Sequence, residues 1–296
     1  MPQQAAAVTI DFHVTAECNQ ECPYCWGPKG YEQLIDTATA VRIVEHVKAV
    51  GARRIVFTGG DPLKRPDLSS LVSRAKDVGL EVALSTTGDE LTRDSLAELA
   101  PCLDLVSLPI DGSTEEVSAR TKKPGHLASI IQALEWLRDH PAIDVKLGTP
   151  VTRHNLGDVP NILALVERYA SSTDALVFYN VFQAFPRSMQ AVDWESLLVS
   201  DEEFAALERT LAGRTSVRVN FLGHETLDHL YVMVFPDGSL VVPSGPVYRS
   251  FGAFLEVDDL TGVLTGTDFD AWKHVRHSFG WKKPRDHAGR GRAPDA

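Results

Sequence analysis

Three cysteines stand close together near the start of the sequence: Cys18, Cys22 and Cys25. Three thiolates on one short loop can bind a soft metal centre. A closed structural zinc site would need a fourth ligand, and the nearest histidine, His13, lies in the strand predicted before the loop. A four-iron cluster held by three thiolates keeps one iron open, which suits catalysis. The spacing alone leaves a structural zinc knuckle or three unrelated thiols as alternatives.

A glycine-rich turn follows the second predicted strand. It reads Thr-Gly-Gly-Asp-Pro, and its candidate binding residues are Gly59, Gly60, Asp61 and Pro62. Glycine lets a backbone approach a ligand closely, and backbone carbonyls beside a carboxylate suit a ligand ammonium group. A glycine pair is also a common turn, so its position at the end of a strand gives it weight.

Polar residues also accompany the next three predicted strands. Ser85 and Thr86 follow the third strand, where hydroxyls either bind a ligand or only shape a turn. Ser107 lies in the fourth strand, and the later Arg120 offers a fork that suits a carboxylate. After the fifth strand, Arg153 and His154 could hold an anionic or polar group of a substrate. The alternative is that they are ordinary surface residues. The candidates there are Thr152, Arg153, His154 and Asn155.

Six strand–helix units position these turns. Apolar residues alternate with polar ones, or form short buried runs, in segments separated by apolar residues at helical spacing. The predicted strands are 8–14, 54–57, 81–84, 105–110, 145–151 and 176–181. Repeated βα units pack as a parallel sheet with helices outside, here a partial or closed barrel. Because sites in such folds collect at the carboxyl ends of the strands, the cysteine loop and the turns should meet at one mouth.

The pattern changes after residue 182. The later segments predict a helix and a short antiparallel element with a hairpin, with strands at 217–221, 230–235 and 240–242. The end of the sequence is polar and basic, which predicts a disordered tail. The predicted organisation is a barrel over 1–182, an α+β annex covering its mouth over 183–281, and a tail over 282–296.

The composition is that of a globular protein with an acidic balance. The 296 residues carry 29 Lys and Arg against 40 Asp and Glu, a net charge of −11, whereas binding to a phosphate backbone needs a basic face. No apolar run approaches the roughly 20 residues of a membrane span, and residues 1–8 lack the features of a signal peptide. We therefore predict a cytoplasmic monomer without nucleic-acid or membrane partners.

The stretch Cys18-Asn19-Gln20-Glu21-Cys22-Pro23-Tyr24-Cys25 resembles the radical S-adenosylmethionine (SAM) superfamily. The resemblance covers residues 8–182 and implies an α/β fold, a partial (β/α)6 radical SAM barrel, here with a small C-terminal α+β annex. It also implies that the three cysteines hold one [4Fe-4S] cluster, that SAM chelates its open iron, and that Tyr24 lies against the adenine. An electron donor such as flavodoxin or ferredoxin would drive the splitting of SAM. The resulting 5′-deoxyadenosyl radical would take a hydrogen atom from the substrate.

The same resemblance implies how SAM is held. The family turn usually reads Gly-Gly-Glu-Pro and holds the methionine amino group, and Asp61 stands here in place of the glutamate. Hydroxyls after the third strand lie where the family binds the ribose. A serine and an arginine resemble the pair that binds the SAM carboxylate. These cofactor contacts are Ser85, Thr86, Ser107 and Arg120, with Thr152 added at the same mouth.

The C-terminal part is similar to viperin-like radical SAM proteins, on the basis of Val181-Phe182-Gln183 and the Pro236-Asp237-Gly238 turn. Viperin-like enzymes act on a nucleoside triphosphate. The cationic candidates for binding its phosphates are few: Lys146, Arg153 and Arg187.

The scarcity of cysteines limits the chemistry. None follows Cys102, and an auxiliary cluster needs several thiolates, so we predict a single cluster. A radical epimerase needs a hydrogen-atom donor, usually a thiol. Cys102 is one candidate, although a small buried residue is the alternative, and Ser244 is another if it stands in place of a cysteine. Weaker donor candidates are Tyr179, Tyr231 and Tyr248.

Three hypotheses follow. The leading one is a radical SAM enzyme that acts on a small polar metabolite, such as a nucleotide, nucleoside or aminosugar, in natural-product biosynthesis; a thiol-dependent epimerase is one version of it. The second is a peptide-modifying radical SAM maturase. The third is an iron–sulfur or zinc protein used for electron transfer or scaffolding.

Overall fold

A single mixed sheet organises the chain, for which the computed structural model describes residues 8–31 and 34–279. Ten strands in the described part pair in the order β10-β9-β8-β1-β2-β3-β4-β5-β6-β7. Their bounds are β1 Thr9–His13, β2 Arg54–Thr58, β3 Glu81–Ser85, β4 Leu105–Pro109, β5 Asp144–Val151, β6 Val177–Gln183, β7 Arg218–Leu222, β8 Met233–Val234, β9 Ser239–Ser244 and β10 Val247–Ala253.

Strands β1 to β6 are parallel and follow one another in sequence order, with helices between them. This confirms the predicted α/β fold with a partial (β/α)6 barrel. The helices are α1 Thr37–Ala49, α2 Leu68–Asp77, α3 Arg93–Leu99, α4 Glu115–Ser118, α5 His126–Leu137, α6 Val159–Ala170, α7 Trp194–Leu197, α8 Asp201–Leu211, α9 His224–Leu227, α10 Leu260–Thr265 and α11 Ala271–Phe279.

Local sequence explains why these elements begin and end where they do. The Asp36 side chain caps α1 by accepting a hydrogen bond from the Thr39 N–H at 2.7 Å, and Gly51 follows the helix with a φ of +83°. In β1, Ile10 and Phe12 are fully buried against the helices. The intervening polar residues therefore face the inside of the curved sheet.

The C-terminal segment extends both edges of the same sheet. The predicted hairpin is present, because β8, β9 and β10 pair antiparallel in turn. Two strands differ from the prediction: β7 pairs parallel with β6, and β8 pairs parallel with β1. Both therefore cover open edges of the barrel sheet, whose backbone groups would otherwise lack partners. The predicted boundary at residue 182 falls within this one sheet, and the predicted tail, 282–296, lies outside the described residues.

Helix α11 covers the amino ends of the strands. His274 is buried, its Nε2 accepts the Thr9 N–H at 2.8 Å, and its Nδ1 donates to the Leu230 carbonyl at 2.6 Å. Burial lowers the pKa of His274, which keeps this ring neutral and suited to both bonds. The Arg54 guanidinium donates to the Ser278 carbonyl at 2.5 Å. Among the described residues, no helix is long and apolar enough to cross a membrane.

Candidate functional site

A cavity of about 430 Å³ occupies the inside of the curved sheet, from the cysteine loop to the residues of α11. Its wall contains many of the residues predicted from the sequence, and this placement brings together three turns that are far apart in the chain. The predicted site residues that line it are Cys18, Cys22, Tyr24, Cys25, Gly60, Ser85, Thr86 and Ser107, together with Lys146 and Tyr231.

Each of the three cysteine sulfurs receives one hydrogen bond from within the described part of the chain. The Gln20 N–H donates to Cys18 Sγ and the Gly27 N–H to Cys25 Sγ, both at 3.3 Å. A lysine ammonium donates to Cys22 Sγ at 3.1 Å. Burial raises the pKa of Cys18, the Gln20 N–H hydrogen bond opposes this change, and the charges of Asp61 and the other two cysteines add to it.

This arrangement fits an iron–sulfur cluster. Thiolates that carry the charge of a cluster are stabilised by such N–H donors, which also tune its potential. The three thiols line one wall of one cavity. Among the described residues, no three His, Cys, Asp or Glu side chains converge on a single metal ion. A [4Fe-4S] cluster does not need such convergence, because each thiolate binds a different iron.

The cysteine loop is locked against the glycine turn by backbone contact. The Gly60 N–H donates to the Thr15 carbonyl at 2.8 Å, and the Asp61 N–H donates to the Glu17 carbonyl at 2.6 Å. A Cβ at Gly59 would lie 2.3 Å from the Thr15 carbonyl oxygen. Because those neighbours are backbone atoms that cannot rotate away, the two loops meet this closely only with glycine.

The Asp61 carboxylate corrects the prediction that this side chain faces a ligand. It is fully buried and does not line the cavity. It accepts hydrogen bonds from the Thr86 hydroxyl at 2.8 Å, from the Leu63 N–H at 3.1 Å, and from Thr87. Asp61 is therefore a positioning residue that ties the turn after β2 to the turn after β3. Pro62, in turn, is buried and begins the 3-10 turn Pro62–Lys64, outside the cavity.

Replacing Asp61 with alanine should destabilise the protein by about 3 kcal/mol, because several buried donors would lose their acceptor together. Urea unfolding of the variant measures this loss. Thr86→Val removes only one of the donors and should cost about 1 kcal/mol. A loss below about 1 kcal/mol for Asp61→Ala would contradict the positioning role.

The cation beside the cluster loop is a different residue from the predicted one. Arg120 is exposed, donates to the His154 carbonyl at 3.1 Å and to Glu116 at 3.2 Å, and does not line the cavity. Lys122 does line the cavity and is 8% exposed. Burial lowers the pKa of Lys122, but Asp111 and the Cys22 thiolate outweigh burial and raise it overall. In the sequence, Lys122 is visible only as a second cation two residues after Arg120.

The turn after β5 also differs from its prediction. Its side chains serve the turn itself: the Asn155 amide donates to the Asp111 carbonyl at 3.0 Å and accepts the Thr152 N–H at 2.8 Å. Arg153 is exposed and lies 3.7 Å from Glu203. None of the four residues lines the cavity, because the turn folds back on β5: Thr152, Arg153, His154 and Asn155.

The proposed hydrogen-atom donors mostly lie elsewhere. Cys102 ends a 3-10 turn before β4, at the opposite end of that strand from the cysteine loop. The Ser244 hydroxyl donates to Asp268 at 2.8 Å, and the Tyr179 hydroxyl donates to Thr149 at 2.7 Å among core residues packed on the helices. None of these three lines the cavity. Alternation along the strands turns Ser244 and Tyr179 to the outer face.

Two other predicted residues contact Trp26: the donor candidate Tyr248 and the phosphate-binding candidate Arg187. The Tyr248 hydroxyl donates to the Trp26 carbonyl at 2.6 Å. The Arg187 guanidinium stacks 4.5 Å above the Trp26 ring and pairs with Asp228 at 2.6 Å. Arg187 is fully buried but does not line the cavity, so its positive charge is directed to its neighbours in the fold.

The strands themselves contribute one carboxylate and one ammonium to the cavity wall. Asp11 of β1 and Lys146 of β5 both line it, and neither side chain has a hydrogen bond or ion pair with any described residue. Burial raises the pKa of Asp11 to about 6, against the attraction of Lys146 and then Arg54. Burial also disfavours the charged form of Lys146 and so lowers its pKa, while the negative charge of Asp11 opposes that change. The sequence showed Asp11 only as a polar position in a strand.

A neutral polar group completes this part of the wall. Asn180 lines the cavity, and its amide oxygen accepts a hydrogen bond from Asn220 at 2.8 Å. The Asn180 amide N–H groups have no acceptor among the described residues. The surrounding wall is largely apolar and aromatic, with Val56, Leu105, Phe178 and Phe182.

The chain is similar to several known proteins. A model described as the Radical SAM superfamily matches residues 12–166. The mycofactocin maturase MftC of Mycobacterium ulcerans is 28% identical over 91% of this chain and 75% of the relative. An S-adenosylmethionine-dependent nucleotide dehydratase of Flammeovirga pacifica is 29% identical over 93% of this chain and 96% of the relative.

A solved structure shares the fold. Native anSMEcpe with bound AdoMet and the Kp18Cys peptide aligns with a TM-score of 0.68 at 16% identity, covering 90% of this chain and 81% of that chain. The TM-score shows a common fold, and at this low identity the roles of individual residues are not transferred to this chain.

Proposed function

Since the chain belongs to the radical SAM superfamily, we propose that it abstracts a hydrogen atom from a small polar metabolite of the nucleotide, nucleoside or aminosugar type. The chain is an enzyme, unlike the electron-transfer or scaffold protein that the cysteine spacing left open. The family uses a [4Fe-4S] cluster and SAM, and it needs a reductant. We propose a role in natural-product biosynthesis.

Three cysteines would hold the cluster: Cys18, Cys22 and Cys25. When bound, cluster and SAM supply the 5′-deoxyadenosyl radical. This chain's own residues do the rest. Gly60, Ser85, Thr86 and Ser107 line the adjoining wall, where they can orient SAM. Tyr24 is held through its hydroxyl, which donates to Asp111.

The single observation that carries the substrate class is the pair Asp11 and Lys146. Two charged groups that face a cavity without partners cost folding free energy, and such costs are typical of functional sites. A ligand with a hydroxyl or ammonium donor for Asp11 and an acceptor for Lys146 would satisfy both. Apolar walls with a few convergent polar groups suit a small, ring-containing molecule.

The charge of the cavity favours a ligand with few phosphates. The phosphate-binding candidates Arg153 and Arg187 do not line it, whereas Lys146 does. Two other cations line the cavity, but Lys122 contacts Cys22 Sγ and Arg54 pairs with Glu81. A triphosphate usually requires several cations or backbone donors in one place. We therefore favour a nucleoside or aminosugar over a nucleoside triphosphate. Similarity over 96% of a nucleotide dehydratase supports the nucleotide and nucleoside members of the proposed substrate class.

The test is 5′-deoxyadenosine formation by the reconstituted enzyme with SAM and dithionite. We would compare nucleosides, their mono- and triphosphates, and glucosamine. At least one nucleoside or aminosugar should raise the rate more than about tenfold, and Asp11→Asn should raise the KM for it while leaving substrate-free SAM cleavage unchanged. Stimulation by triphosphates alone would contradict the favoured class.

Peptide maturation is the second candidate, and the likeness to MftC over 91% of the chain favours it. The same assay with the Kp18Cys peptide in place of the small molecules tests it. Stimulation by that peptide, with none by any small molecule, would favour a maturase.

The outcome of the reaction should not depend on a protein thiol donor. The only cysteine outside the cluster loop, Cys102, lies away from the cavity. Of the proposed donors only Tyr231 lines the cavity, so the Tyr231→Phe variant in deuterated water should give product without solvent deuterium at the reacting carbon. Deuterium at one carbon with stoichiometric loss of SAM would restore the epimerase hypothesis.

Asp11 also makes a prediction about stability that is independent of substrate. Its carboxyl pKa is raised from 3.8 to about 6 in the folded protein, so ionisation is harder in the folded state. The resulting cost is absent below pH 3.8, grows up to pH 6 and is complete above it. Asp11→Asn should therefore gain about 1–3 kcal/mol relative to wild type between pH 4 and pH 7.5. Urea unfolding at the two pH values measures this, and an unchanged difference would contradict the raised pKa.

A further inference from the structure

Lys122 is a buried cation in direct contact with a cluster ligand. It lies in the loop between α4 and α5, and only 5% of its side chain is exposed. Its Nζ donates to Cys22 Sγ at 3.1 Å, while the ammonium lies 5.6 Å from the centroid of the Tyr24 ring. Burying an ammonium is costly, so such a contact persists only where other groups compensate the charge.

Asp111 supplies the compensating charge and is itself held in place. One of its carboxylate oxygens accepts hydrogen bonds from Tyr24 and from the Thr121 hydroxyl, the latter at 2.9 Å. The other oxygen lies 3.9 Å from Lys122 Nζ and has no hydrogen-bond partner in the described part of the chain. The lysine is thus held between a carboxylate and the Cys22 sulfur.

The next residue in the sequence shows that this placement is specific. Lys123 has a half-exposed side chain and pairs with Glu21 at 2.8 Å on the surface. The two lysines have the same chemistry and adjacent positions, but of the two only Lys122 contacts a cysteine sulfur. Lys123 therefore serves as a matched control.

We propose that Lys122 raises the reduction potential of the [4Fe-4S] cluster through its charged hydrogen bond to the Cys22 thiolate. A reduced cluster carries one more negative charge than an oxidised one. A fixed cation at a ligand sulfur stabilises that added charge, and the low dielectric of a buried site strengthens the effect. Hydrogen bonds to ligand sulfurs and net charge are established controls of cluster potentials. The proposal rests on the cluster and not on the substrate class.

The test is a potentiometric titration of the reconstituted protein without SAM or substrate. The EPR signal of the reduced cluster measures how much of the cluster is reduced at each potential. Iron and sulfide contents confirm that each variant holds its cluster. Lys122→Met should lower the equilibrium constant for one-electron reduction at least tenfold, a shift of 59 mV to more negative potential. Lys122→Arg keeps the charge and should stay much closer to wild type, and Lys123→Met should match wild type.

A second variant keeps the proposal testable if Lys122→Met fails to bind a cluster. Asp111→Asn removes the opposing negative charge and keeps a hydrogen-bond acceptor, so it should shift the potential in the opposite direction. Equal potentials for Lys122→Met and Lys123→Met would overturn the proposal. So would a Lys122→Met variant that binds SAM more weakly but has a wild-type potential without SAM, because that result would assign the lysine to the SAM carboxylate.

Discussion

Replacing Cys22 with alanine should abolish cluster binding and SAM cleavage while leaving the fold intact. Removing a residue that hydrogen-bonds to a metal ligand already lowers metal affinity or activity 10–100-fold. Removing the ligand itself should therefore lower SAM cleavage by more than about a thousandfold. Cys22 packs only in a small satellite cluster with Tyr24 and Leu197, so the cost in stability should be about 1 kcal/mol. Iron analysis, 5′-deoxyadenosine formation and thermal unfolding measure the three effects.

Cys102→Ala is the control for that experiment. Cys102 is partly buried at the amino end of β4 and does not line the cavity. The control should retain about four irons per chain and full SAM cleavage. Turnover by Cys22→Ala, or about eight irons in the wild type, would contradict the single-cluster assignment.

Gly60→Ala should disrupt the site by pushing apart the two loops that form it. A Cβ at this position would lie 2.1 Å from the Glu17 carbonyl oxygen and 2.5 Å from that of Ala16. Both are backbone atoms in the cysteine loop, so the strain cannot be relieved by a side-chain rotation. We expect a loss of about 3 kcal/mol in stability and at least tenfold weaker SAM binding. Urea unfolding and equilibrium binding of SAM measure these.

The matched control is Gly157→Ala, in the 3-10 turn Leu156–Asp158. A Cβ there would meet no atom within 4 Å. Its stability should remain within about 0.5 kcal/mol of wild type, with normal SAM binding. Wild-type SAM affinity in Gly60→Ala would show that the close approach of the loops is not needed.

The order of the barrel elements was predictable because it is encoded locally. In β1, buried Ile10 and Phe12 alternate with polar residues that face the cavity, and capping residues such as Asp36 mark the helix starts. The partners of β7 and β8 were not predictable in this way. A short strand carries its own periodicity but not the identity of the edge that it pairs with, which depends on contacts distant in sequence.

The sequence by itself determined the chemistry of the mouth. The cysteine spacing, the glycine pair and their positions after consecutive strands are local features, and the fold places them on one cavity wall. Only the tertiary structure decided which charged side chains face that wall. Lys122 is buried beside Cys22, while Arg120 is exposed. The Asp61 carboxylate accepts hydrogen bonds from the turns after β2 and β3 and does not reach the cavity. Asp11 and Lys146 come from opposite strands of the barrel. The physical reason is that the direction and burial of a side chain depend on strand register and loop packing, which residues far away in the chain establish.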